Sequence, residues 1–535
     1  QRRRWIKRKR SVFIMKKRIL SLTSLMLSAV LLFTGCGSAK EDTGTAPAGE
    51  GTKTESQASD TSADTASDAD TKLRDGKMTE LRMVFPGGTS SPADLEAVEA
   101  GINEIVSQYM DATVKLDILE WGVFSDQQKL MLSSGEDIAL MFTFDSSKNY
   151  AATNQVRDIT DLCGLYAQDA LDGLGIYAEA CQINGKYYGL PTFHEYTKTS
   201  GLVCRTDILE ELNIDPSSVK TWDDLEAVLA KVKEAHPEMN VLSPVEVGSG
   251  ILDYYNEGKF DVLTDGIGVR MDGDGTEVLN MYDTPEFMEL AKLAYDWNTK
   301  GYFMADATTV TDTRQDLLAA GNTFGYIGQI HPGTATQELK NSGVPVTTIP
   351  VGEKALTTGN VNFAQYMVPT GCSTPEKAVK LLDIMLTNKD MANLLMYGVE
   401  GSDYVIKDEA AGVVGYPDGV DSSNVGWNNE TWLAGNGALA YAWESDSADI
   451  WKQYEEFNAS AATSPLYGFT FDTTNVKTEI TAITNVIKKY KAVICAGYSE
   501  PEEAVAQMVS ELQASGIDRI VEEAKTQIDA WKGNQ

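Results

Sequence analysis

Apolar positions along this chain switch between two periods. Leu81 to Phe85 and Asp137 to Phe144 read as buried strands, and Thr113 to Leu119 (TVKLDIL) alternates apolar with polar. Pro92 to Tyr109 and Asp126 to Ser133 carry helical spacing. Strands alternating with helices predict an open α/β sheet, and in such sheets ligands bind beyond the C-terminal strand ends. The order then changes. Asn184-Gly185 predicts a tight hairpin, Pro191 to Thr199 is a polar and aromatic crossing, and Gly201 to Cys204 is a short apolar strand. Helical runs follow from Asp207 and from Trp222, the latter behind the cap Thr221. Strand, crossing, strand and two helices predict that the chain leaves one lobe here and enters a second across a groove.

Further along, Gly268-Val269-Arg270 and Val278-Leu279-Asn280 predict a hairpin around Asp272-Gly273-Asp274-Gly275. That acidic turn lacks the third acidic ligand and the spaced Glu of a calcium loop, so no metal site is expected. Thr284 to Thr299 is an amphipathic helix with a Thr-Pro start. Thr347 to Pro369 is expected to return to the first lobe through strands, and Thr374 to Asn393 to form one helix with a capping entry.

The N-terminal pattern is different in kind. The reading frame is expected to start at Met15, with residues 1–14 an upstream extension. Lys16-Lys17-Arg18, an apolar run from Ile19 to Phe33, and Thr34-Gly35-Cys36 read as a secretory signal peptide over 1–35. Residues 36–77 are Ser, Thr, Ala, Gly, Asp and Glu almost throughout, which predicts a disordered tether.

Charge sharpens this picture. The 535 residues carry a formal net charge of −33, and counting from Cys36 leaves 35 basic residues against 78 acidic ones, or −43. Such a polyanion repels nucleic acid, so no nucleic-acid partner is expected. Five cysteines follow Cys36, at 163, 181, 204, 372 and 495, with no CxxC spacing, so at most a partial pairing is possible. No zinc spacing, GxSxG, P-loop or Rossmann glycine fingerprint is present, and no cofactor or catalytic function is expected.

The candidate chemistry is that of sugar binding. Aromatic rings pack on carbohydrate C–H faces while polar groups pair with the hydroxyls. Trp121, Phe144 and Asp145 follow strand ends and suit that role. Val425 to Trp451 crowds Trp427, Trp432, Tyr441, Trp443 and Trp451 among Asn and Gly. At least one of Trp427 and Trp432 is expected to line the groove, with Trp443 and Trp451 mostly core. Trp222 and Trp297 read as packing.

Ser134-Gly135-Glu136-Asp137-Ile138, Asp158 to Leu162, Asn184-Gly185-Lys186-Tyr187-Tyr188-Gly189-Leu190-Pro191, Arg205 to Leu209 and Lys220 to Leu225 together resemble the extracellular solute-binding proteins of family 1, the sugar-binding lipoproteins of ABC importers. The tail from Tyr467 resembles a C-terminal region of LipO-like lipoproteins of Gram-positive bacteria. The resemblance implies a two-lobed periplasmic-binding-protein-like α/β fold with a hinge of two or three crossings and an interlobe ligand cleft. It implies 78–192 and 345–402 as the first lobe and 200–340 and 405–535 as the second. Ligand-facing positions then map onto the crossing, with His194, Glu195 and Tyr196, and onto the end of a Gly-rich strand, with Gln329 and His331. Phe33-Thr34-Gly35-Cys36 resembles a lipobox, which implies lipidation at Cys36 and a monomer anchored outside the membrane beside its ABC permease. The expected function is capture of an oligosaccharide for import. The alternative is a secreted carbohydrate-active lipoprotein or the ligand-sensing subunit of a membrane signalling system.

Overall fold

The computed structural model describes residues 70–144 and 148–533. The signal peptide, Cys36 and Asp145 lie outside the described residues. Among those described, no helix is long and apolar enough to cross a membrane, and no group of three or more His, Cys, Asp or Glu is arranged to hold a metal ion.

The first lobe opens with strand β1 (Thr79–Gly87), helix α1 (Leu95–Ser107), β2 (Ala112–Glu120), α2 (Phe124–Ser134) and β3 (Leu140–Thr143), and reaches β4 (Gly189–Pro191). The second lobe follows with β5 (Thr199–Arg205), α3 (Trp222–Ala235), β6 (Asn240–Leu242), α4 (Pro285–Thr299), β7 (Thr323–Ile330), α5 (Thr334–Ser342) and β8 (Val346–Pro350). The chain then passes through β9 (Ala355–Leu356), β10 (Gln365–Met367), α6 (Pro375–Thr387), α7 (Lys389–Tyr397) and α8 (Ile450–Ala459). It ends with β11 (Ala462–Thr463), α9 (Lys477–Cys495), α10 (Pro501–Ala514) and α11 (Ile517–Lys532).

Two sheets organise the two lobes. The first has the order β2-β1-β3-β10-β4, with β1 parallel to β2 and β3 and with β10 antiparallel to its neighbours. The second has the order β8-β5-β7-β6. Each sheet has its own core. Phe85, Val98, Leu140, Tyr366 and Leu382 are buried in the first, and Leu202, Leu229, Trp297, Phe324 and Ile520 in the second. The C-terminal helices α9 to α11 pack into the second core through Ile483, Met508 and Ile528.

Local chemistry explains the elements. Asn184 and Gly185 take φ of 52° and 75°, the left-handed pair a two-residue hairpin needs, and Gln182-Ile183 pairs antiparallel with Lys186-Tyr187 on either side. At α3 the Thr221 hydroxyl accepts from the Asp224 N–H while the Asp224 carboxylate accepts from the Thr221 N–H, both at 3.1 Å. Thr284 caps α4 through the Phe287 N–H. Strand β2 buries every second residue, with its polar Lys115 paired to Glu99 and Asp117 to Arg82.

Several expectations are corrected. Residues 70–77 are not tether. Leu73 is buried in the first core, and Lys377, 2% exposed, donates to Asp75, Thr79 and the carbonyls of Lys77 and Asp111. Lys377 thus ties this strap to α6 from 300 residues away. Residues 374–393 are two helices rather than one, because the Asn388 side chain caps α7 by accepting from the Met391 N–H. Thr374 makes no side-chain cap. Residues 346–350 do not return to the first lobe but pair with β5 in the second sheet. Trp427, Leu433 and Ala440, expected in the second lobe, pack in the first core. The five described cysteines are buried and free.

Candidate functional site

Three stretches join the two cores, and they are knitted together. The crossing 192–198 lies beside β9 and β11, which pair in parallel. The Asn458 side-chain oxygen accepts from the Tyr196 and Thr197 N–H groups (2.9 and 3.3 Å), and its amide donates to the His194 carbonyl at 3.1 Å. Thr197 donates through its hydroxyl to the Ala355 carbonyl at 2.8 Å. A small apolar cluster of Tyr196, Ala180, Leu356 and Val361 fills the joint.

An extended crossing alternates its side chains between two sides. One side is the joint, so His194 and Tyr196, expected as ligand contacts, turn into it. His194 is 4% exposed with its ring nitrogens against the carbonyls of Thr192 and Asn360, and burial outweighs these bonds and depresses its basicity. Tyr196 is fully buried, donates to the Thr192 carbonyl at 2.9 Å, and packs its ring on Tyr177 at 4.3 Å. Glu195, between them, faces the opposite way and borders a cavity of about 270 Å³.

That cavity has walls from both lobes. His331, at the end of β7, and Thr336 and Lys340, on α5, form one wall. Trp432 and Trp443 line the cavity as well, and Asp446 lies against Thr336, whose hydroxyl donates to the neighbouring Ser445 carbonyl at 3.2 Å. Trp451 and Tyr454 of α8 also line it, as does Trp427. Trp427 is a floor residue, 3% exposed, with its indole N–H donated to the Leu395 carbonyl. His331 Nε2 lies 3.9 Å from the Glu195 carboxylate, and its Nδ1 lies 2.7 Å from the Pro332 carbonyl and 3.3 Å from the Tyr454 hydroxyl. Burial pulls the Glu195 carboxyl up, but the charges of His331, His194 and Lys198 outweigh it and hold the group below the ordinary range. Burial raises Asp446, against the Thr336 hydroxyl and the Lys340 charge. The Asp403 carboxylate anchors the floor by accepting from the Val399 and Trp427 N–H groups, both at 2.8 Å. Burial, reinforced by neighbouring Asp94, pushes it up to about 6.

Next to the cavity lies an aromatic platform. Trp121, 42% exposed, stands 6.0 Å from Phe144 and 5.9 Å from Trp432, ring centre to ring centre. Phe144 and Trp432 are 5.5 Å apart, and Phe363, also 42% exposed, lies 5.7 Å from Phe144 and 6.1 Å from Trp432. Exposed rings gathered in this way form an apolar patch, a feature single surface residues do not make. Trp432 belongs to both the platform and the cavity. Gln329 lines neither; it is half-buried against the Glu257 carboxyl, which burial raises and the Gln329 bond partly offsets.

The structure therefore brings together Trp121, Phe144, Glu195, His331, Trp427 and Trp432, and sets His194 and Tyr196 apart. It adds Phe363, with the Lys198 ammonium 5.4 Å above its ring, and places Trp443 and Trp451 on the cavity wall rather than wholly in the core. Phe363 precedes a strand instead of following one. Because β10 runs antiparallel to β3, with Gln365 opposite Thr143, the start of β10 lies at the end of β3.

Two α/β lobes, a joint of three connecting stretches and a ring-lined cleft define a two-lobed solute-binding protein. A sequence model described as bacterial extracellular solute-binding protein matches residues 91–392, and a domain of unknown function matches 465–533. The chain belongs to the bacterial extracellular solute-binding proteins. A carbohydrate ABC transporter substrate-binding protein of Streptococcus pneumoniae is 26% identical over 460 residues, 83% of this chain and 89% of that protein. The crystal structure of the N-glycan transport solute binding protein NgtS from Streptococcus pneumoniae superposes with a TM-score of 0.75 at 23% identity, over 85% of this chain and 99% of that one. The same protein in complex with Man5GlcNAc gives 0.65 over the same shares.

Proposed function

We propose that this protein captures an oligosaccharide outside the cell and delivers it to an ABC permease, without catalysing a reaction on it. The observation that carries this is the platform of Trp121, Phe144, Phe363 and Trp432, set in a cleft whose opposite wall offers His331, Thr336 and Lys340. Rings stack on sugar faces, and the polar wall pairs with hydroxyls. The relative that acts as a carbohydrate substrate-binding protein supports the same reading. Ligand contacts made by both walls exist only when the lobes approach, so binding favours the closed form and marks it for the permease. Micromolar capture needs about −8 kcal/mol, within reach of a few stacked rings and charge-assisted hydrogen bonds.

Lipidation of Cys36 would hold the protein at the outer face of the membrane, with the polar stretch up to residue 69 as its tether. The test of function is a thermal-shift screen of the full chain against sugars, peptides and polyamines. A ligand of the native state raises the midpoint by mass action. Oligosaccharides should raise it; a shift with peptides alone rejects the reading. Cys36→Ala should release the protein from the membrane fraction or leave it unprocessed, and normal retention rejects the anchor.

A further inference from the structure

The charges around the cleft narrow the ligand class, an inference that rests on the proposed function. Glu195, Asp403, Glu430 and Asp446 border the cavity, and Glu257 lies beyond it against Gln329. The basic groups there are Lys340 on the cavity lining, Lys198 over the Phe363 ring, and the His331 imidazole. His331 Nε2 lies 3.9 Å from Glu195, and the four carboxylates on the lining face a single lining lysine, Lys340. Among the described residues, no arginine lines the cavity. An acidic sugar entering here would meet four carboxylates against one lysine, and would approach the half-buried Glu195 and Asp446, from which closing lobes strip water. Weaker screening in such a site strengthens like-charge repulsion.

A neutral sugar meets the opposite situation. Each carboxylate oxygen accepts from a hydroxyl, and bonds to a charged acceptor are the strong ones. Glu195, on the crossing, and Asp446, beside Thr336, both line the cavity together with Trp432. A ring stacked on Trp432 could therefore donate hydroxyls toward either. Asp403 is occupied by the Val399 and Trp427 N–H groups and adds only charge.

We infer that the cleft selects neutral oligosaccharides and rejects those bearing uronate, sialate, sulfate or phosphate groups. The test is a glycan array holding neutral oligosaccharides and their acidic counterparts, probed with the full chain. Bound glycans should be neutral, with each acidic counterpart at least about ten-fold weaker. Asp446→Asn and Glu195→Gln should each narrow that gap several-fold. Equal binding of neutral and acidic counterparts overturns the inference and leaves carbohydrate capture standing, as does a gap that neither variant changes. An array with no bound glycan overturns carbohydrate capture itself, and the inference falls with it.

Discussion

The two walls of the cleft are built from different materials. The first lobe presents rings: Trp121 and Phe363 each lie 5.7 to 6.1 Å from Phe144 and Trp432, ring centre to ring centre, and both are 42% exposed. The second lobe presents His331, Thr336 and Lys340, polar groups on a strand end and one helix. Stacking area supplies affinity with little demand on geometry, whereas polar contacts need the lobes at a fixed separation. The contrast implies an order of events. On the proposed function, ligand would settle on the first lobe, and the second lobe would then close and read its hydroxyls.

Truncating Trp432 should break this contrast most severely. Trp432→Ala removes the ring shared by platform and cavity, and should cost about 2 kcal/mol or more, or roughly thirty-fold in Kd by calorimetry. A loss under about three-fold would remove the platform from the binding account. His331→Ala on the opposite wall should cost about 1 kcal/mol, near five-fold, as one polar contact does. Equal losses at His331 and Trp432 would erase the distinction between the walls. Tyr196→Phe probes the joint behind them. Its lost bond to the Thr192 carbonyl should lower folding stability by about 1 kcal/mol while leaving affinity unchanged, and a loss of affinity would return Tyr196 to the cleft.

The smallest effect concerns the floor beneath Trp427. Asp403 is held up to about 6, above an unfolded carboxylate near 4, so the folded state binds its proton more tightly. Its contribution to stability is present at low pH and is lost as pH rises through about 6. Denaturant midpoints of the wild type minus those of Asp403→Asn should therefore fall from pH 5 to pH 7. A flat difference would show that Asp403 does not titrate in this window.

Features set by local chemistry were readable in the residues themselves. Asn184-Gly185 specified its hairpin, Thr221 and Asp224 the start of α3, and Thr284-Pro285 that of α4, because each depends on a bond within a few residues. Features set by distant partners were not. Periodicity shows that 193–198 alternates but not which side holds the joint, so Glu195 could not be told from His194 and Tyr196. Phe363 escaped notice because its place beside Phe144 depends on an antiparallel pairing with a strand more than 200 residues earlier. The strap at 70–77 reads as polar linker until Lys377 supplies its anchor. The places of Trp443 and Trp451 on the cavity lining likewise came into view only with the packing of Trp443 on Tyr397 of α7 and the position of Trp451 on α8.

The central claim is that sugar rests on the first-lobe rings and the second lobe closes over it. A crystal structure with a neutral oligosaccharide bound tests it directly. The account predicts a pyranose ring against Trp121 or Trp432, in van der Waals contact at about 4 Å, with His331 and Glu195 bonded to its hydroxyls. A ligand seated elsewhere, such as the separate cavity of Asp261, Thr358 and Phe471 beside the joint, with the ring platform left bare, would contradict it.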